Sequence, residues 1–148
     1  MNKIGHLIVG FILGIAFIFV SNYYWDWFPL WSLEFFIAIF LIIPLYALLP
    51  DIDHEAGTIT WWFIGLGILG GIVGAIWNRY LLYFSLAILV ITFLAVKLTH
   101  HRGIIHTIEA GIIFAIPMIF IFDWSMATLA FIAFYSHLLA DGLPFKIK

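Results

Sequence analysis

Six apolar stretches, each close to the length of a membrane span, fill this chain from Ile4 to Ala140. They are 4–20, 28–49, 61–77, 80–98, 104–122 and 124–140, and only short polar punctuation separates them. About 20 apolar residues cross the ~30 Å hydrocarbon core of a bilayer as an α-helix. With mean hydropathy +1.18 and 9% charged residues, no water-soluble surface can be assembled from the 148 residues. The pattern predicts an all-α, polytopic transmembrane bundle of about six helices forming a single integral membrane domain over 1–148. Several segments lie at the lower length limit, so some are expected to be short or re-entrant. Tryptophans at 25, 27, 31, 61, 62, 77 and 124 fall near the predicted ends, as an interfacial aromatic belt does. Pro44 and Pro117 fall inside predicted helices and are expected to kink them.

The absence of cysteine excludes disulfides, thiolate metal sites and a cysteine nucleophile. There is no basic patch to suit nucleic acid, and no acidic tail. The N-terminal segment mimics a signal peptide, but it lacks a small-x-small site before Ser21 and is expected to remain uncleaved.

Against this apolar background the ionisable residues are clustered: Pro50-Asp51-Ile52-Asp53-His54, His100-His101-Arg102-Gly103-Ile104-Ile105-His106 and Ser136-His137-x-x-x-Asp141. A charged group at the centre of a bilayer costs roughly 2.5–3.5 kcal/mol on insertion scales, so such groups face a cavity, a partner or an ion. Six spans put both termini on one side with the loops after the second and fourth helices. That side carries Lys3, Lys97, Arg102, Lys146 and Lys148, against Arg79 alone on the other. The positive-inside rule therefore predicts cytoplasmic termini, in the inner or plasma membrane. His6 and all three clusters then fall on the same face, although no histidine or carboxylate entered the orientation argument.

Spacing refines the candidates. His137 and Asp141 are i,i+4 and share a helical face, which Ala130 and Ala133 continue as a small-sided stripe. His6, Gly10 and Gly14 make a similar row, whose glycines permit close helix approach and turn His6 inward. Gly67/Gly71 and Gly70/Gly74 read as ordinary packing motifs. Asp51, Asp53 and His54 could ligate a hard or borderline cation; a solvated acidic loop is the plainer reading. Gly103 would let His101 and His106 reach one centre, with His100 a spectator. Arg102 offers a planar fork for a phosphate or carboxylate, or else only anchors the topology. Thr107 is read as a helix cap. Glu109, at i+3 from His106, is a candidate general base or imidazole partner, or a helix–helix hydrogen bond.

His6, Asp51, Asp53, His54, His101, His106, His137 and Asp141 exceed the needs of one tetrahedral ion, so one or two divalent ions are expected. Sulfur-free ligation suits Zn, Mn or Fe. His54-Glu55 begins a zincin motif that Thr58 breaks, and no nucleophile elbow is present.

Gly5-His6, Leu48-Leu49-Pro50-Asp51-Ile52-Asp53-His54, His101-Arg102-Gly103-Ile104-Ile105-His106-Thr107 and Ser136-His137-Leu138-Leu139-Ala140-Asp141 together resemble the membrane-bound metal-dependent hydrolases, also called the LexA-binding, inner membrane-associated hydrolases. The resemblance runs from His6 to Asp141. It implies a polytopic membrane hydrolase whose metal and catalytic residues are the eight named above. Members usually read Asp-x-Leu-Thr where this chain has Asp141-Gly-Leu-Pro. The LexA partner is not carried over, since no basic surface supports it.

The expected activity is metal-dependent hydrolysis of an amphiphilic phosphoester or other ester that arrives from the lipid bilayer. Asp51, Asp53, Arg102 and Glu109 are the candidate catalytic residues. A divalent-cation or proton transporter and an assembly protein with a structural metal are the alternatives.

Overall fold

The computed structural model describes residues 3–53, 57–98 and 104–142. Helices account for the regular structure there: α1 (Lys3–Trp25), α2 (Leu33–Ile37), α3 (Ile43–Leu48), α4 (Thr58–Trp77), α5 (Arg79–Leu98), α6 (Ile108–Ile121) and α7 (Trp124–Ala140). A π-helical turn (Ala38–Ile42) joins α2 to α3, and a 3-10 turn (Leu49–Asp53) follows α3. Because α2, the π turn, α3 and the 3-10 turn run on without a break, the described residues form six helical segments, as the apolar runs predict. Lys3–Trp25, Leu33–Ile52 and Ile59–Trp77 are long and apolar enough to cross a membrane. At 1.5 Å per residue the 14 residues of α6 and 17 of α7 extend only about 21 and 26 Å.

The chain forms two compact units, residues 1–50 with 104–148, and 51–103. In the first, α7 is the central element. Ser125, Met126, Leu129, Ala130, Ala133, Phe134, His137 and Leu138 are all buried on it, and α1, α3 and α6 pack around it. In the second, α4 and α5 form a helical hairpin turning at Asn78. Gly67 packs there so closely that a Cβ would lie 2.6 Å from Leu89 Cγ, whereas Gly71 has open space around it. Thr60 Oγ1 donates to the carbonyl of Ile52 at 3.1 Å, tying the start of α4 to the 3-10 turn.

Burial on α1 inverts the pattern of a water-soluble helix. His6, Gly10, Gly14, Ile18 and Ser21 are buried, while Ile4, Ile8, Ile12 and Phe19 face outward. Small and polar residues inside with large apolar residues outside are what a helix needs when its solvent is lipid. Trp25, Trp31, Trp61, Trp62, Trp77 and Trp124 are likewise exposed near segment ends. The protein is therefore a polytopic membrane protein.

Local chemistry sets the boundaries. Asp123 caps α7 by accepting from Met126 N at 3.0 Å. The first residues of the 104–122 run stay outside α6 because Thr107 ends them: its hydroxyl donates to Ile104 O at 2.8 Å and accepts from Ala110 N. Pro44 interrupts its helix differently from a simple kink. It sits in the first turn of α3, and the turn before it widens to π geometry. The missing N–H and the ring's clash with the carbonyl four residues back explain why the regular ladder stops there. Pro117 lies inside α6 without ending it. Asn22, in the last turn of α1, pins the turn that follows by accepting from Phe28 N at 2.6 Å and donating to the Phe28 carbonyl.

Candidate metal centre

Four chemistry-bearing side chains meet at one end of the first unit. His6 is near the N-terminus of α1, His106 just precedes α6, and His137 and Asp141 close α7. The chain brings these ends together by packing α1 and α3 against α7 through small residues. A Cβ on Gly10 would lie 2.6 Å from Ala47 Cβ and 3.3 Å from Ser136 Oγ, so glycine is what lets the three helices approach. Ala130 and Ala133, fully buried, continue the close face along α7. Tyr46 ties α3 to α6 by donating to Phe114 O at 2.8 Å.

The four groups are deeply buried. His6 is 2% exposed, His106 and His137 are fully buried, and the Asp141 side chain is 3% exposed. Asp141 Oδ1 lies 3.4 Å from His6 Nε2, and Oδ2 lies 3.8 Å from His137 Nε2. The His106 ring stands edge-on to that of His137, with centroids 5.2 Å apart and planes at 68°. One donor atom each from His106, His137 and Asp141 lies within 4.8 Å of the others.

His137 Nδ1 is 2.8 Å from the carbonyl oxygen of Ala47. A carbonyl only accepts, so Nδ1 carries a proton, and in the neutral ring Nε2 then presents its lone pair. Fixing one nitrogen by a backbone acceptor while the other faces the centre is the usual orientation of a metal-ligating histidine. Distances agree. A charge-assisted hydrogen bond spans about 2.7–2.9 Å, whereas two ligands at ~2.05 Å on one tetrahedral ion stand about 3.3 Å apart. The two Asp141–histidine distances lie at or beyond the second value. Buried N and O donors without sulfur fit a divalent Zn, Mn or Fe ion and do not separate the three.

The other described candidates lie on the 3-10 turn and on α6. Asp51 is half-buried in the 3-10 turn, and Asp53 ends that turn. Glu109 is half-buried in the first turn of α6, where a carboxylate is favoured by the helix dipole. It lines a cavity of about 240 Å³ with Ile104, Ile105, Thr107, Ala110, Ile113 and Phe114. His54, His100, His101 and Arg102 lie outside the described residues, as do Lys146 and Lys148. Sequence reasoning missed the Ala47 carbonyl, which no motif can signal because any residue supplies one.

His6, His106, His137 and Asp141 are four of the eight residues on which the resemblance to membrane-bound metal-dependent hydrolases rests. A search of curated proteins and one of solved structures each find no match to this chain. A family model does match, that of the YdjM inner membrane protein, over residues 1–145. Spanning nearly the whole chain and both ends of the buried cluster, that match shows that this polytopic protein belongs to the YdjM inner membrane protein family.

Proposed function

We propose that the protein is a membrane-embedded, metal-dependent hydrolase acting on an amphiphilic phosphoester or related ester. The observation that carries this reading is the buried meeting of His106, His137 and Asp141, with His6 beside them and the His137 tautomer set by Ala47. Apolar helices give no reason to bury three imidazoles and a carboxylate in one place unless they are held by a cation or by each other, and their spacing suits a cation.

His6, His106, His137 and Asp141 would hold one or two divalent ions, and the sequence offers Asp51, Asp53, His54 and His101 as further candidate ligands. Such an ion makes bound water nucleophilic at neutral pH and offsets charge on a phosphoryl oxygen. Arg102 would clamp a phosphate oxygen with its planar fork. Glu109, or a carboxylate of the Asp51/Asp53 pair, would take up the proton released in hydrolysis. The ligand-bearing ends group at one end of the first unit, which supports a one-sided centre. The excess of basic residues on the same side of the sequence supports cytoplasmic termini, and the family's name supports the inner membrane.

The test is elemental analysis of detergent-purified protein together with a phosphoester and ester screen. Wild type should carry a divalent metal and turn over at least one ester, and Asp53→Ala should stay folded while losing turnover. Protein that holds no metal after titration would end the hydrolase reading. Metal uptake into proteoliposomes, abolished in His106→Ala, would favour transport instead. Bound metal with no turnover on any ester would favour a structural role.

A further inference from the structure

A histidine nitrogen binds a cation along its lone pair, which lies in the plane of the ring. Two imidazoles can share one ion in this way only if their planes intersect at it. His6 and His137 do not meet that condition: their rings are stacked, with centroids 3.7 Å apart and planes 8° from parallel. An ion in the plane of one ring lies well out of the plane of the other.

Asp141 meets this stack with one oxygen for each ring. Oδ1 is the atom near His6 Nε2 and Oδ2 the atom near His137 Nε2. His106 adds a donor on the His137 side. The ring spacing also falls within the about 3.5–4 Å that separates paired ions in two-metal hydrolytic sites.

Resting on the metal-centre reading above, we infer that the centre is dinuclear and that Asp141 is its bridging carboxylate. One cation belongs to His6 and Asp141 Oδ1; the other belongs to His137, His106 and Asp141 Oδ2. Asp141 is thus the residue on which both sites depend, whereas His6 serves one of them.

The experiment uses the full chain in detergent, stripped with chelator and reloaded with Mn(II). Metal content is read by elemental analysis and ion coupling by electron paramagnetic resonance. The expected result is two Mn per chain with an exchange-coupled spectrum. His6→Ala should hold one Mn with an isolated-ion signal, and Asp141→Ala should lose the coupling and at least one ion. Wild type that saturates at one Mn, or binds two with independent signals, overturns the bridge while leaving a metal-dependent hydrolase standing. Wild type that binds no Mn, Zn or Fe removes both. The wild-type spectrum alone decides, so the result does not depend on a variant folding.

Discussion

His137 uses its two ring nitrogens for different purposes, and that division makes it the most informative single residue of the chain. Nδ1 is held by the Ala47 carbonyl, while Nε2 faces Asp141. In histidine-labelled protein, nitrogen NMR should show one histidine as the Nδ1–H tautomer, and the signal should vanish in His137→Ala. A protonated Nε2 in the metal-free protein would contradict the assignment. Metal affinity should fall far more in His137→Ala than in Glu109→Gln, since the proposed role of Glu109 is proton movement rather than ligation; competition with a chelating dye measures both. The i,i+4 spacing announces that His137 and Asp141 share a helical face. It carries no trace of the carbonyl that orients the ring, because backbone acceptors have no sequence signature.

Helix packing positions these groups, and glycine is what permits it on α1. In Gly10→Ala the new methyl would meet Ala47 Cβ at 2.6 Å, an atom fixed to its backbone, so α1 and α3 must separate. At Gly14 the nearest obstructing atoms are Cδ1 and Cγ1 of Ile43, which give way more readily than a Cβ although Ile43 is itself buried. Overpacking of this kind costs about 1–3 kcal/mol, so Gly10→Ala should lower the thermal midpoint more than Gly14→Ala. Gly71→Ala, with nothing nearby, should be neutral or stabilising by up to about 1 kcal/mol from helix propensity. Tryptophan fluorescence during heating in detergent compares the three. Gly10→Ala should also weaken metal binding, because it displaces the Ala47 carbonyl that orients His137. At the start of α6, Thr107→Ala removes a cap worth about 1 kcal/mol. It should reduce metal affinity as His106 loses its fixed approach, whereas Thr107→Ser should retain both; calorimetric metal titration reads the difference.

At the scale of the whole protein, the distribution of basic residues predicts that Lys3 and Arg79 lie on opposite sides of the membrane. The natural absence of cysteine makes this direct to test. Single Lys3→Cys and Arg79→Cys variants should be labelled by an impermeant reagent from opposite faces of oriented vesicles. Labelling of both from one face would overturn the six-span topology.

By itself the sequence determined the solvent and the class of the fold. Long apolar runs must avoid water, their lengths match a bilayer, and a polypeptide in lipid must satisfy its backbone internally, so helices follow. It also marked His6, Asp51, Asp53, His54, His101, His106, His137 and Asp141 as a set, since ionisable groups are rare and costly in such surroundings. Only the tertiary structure decided how they meet: the stacking of His6 on His137, the division of the Asp141 oxygens and the hold of Ala47 on Nδ1. It also decided that Pro44 follows a π turn and that α6 begins after Thr107 rather than at Ile104. Periodicity specifies which face of a helix a residue occupies. Ring orientation, donor spacing and the carbonyl opposite depend on how closely separate helices approach, and small residues far apart in the chain set that distance jointly.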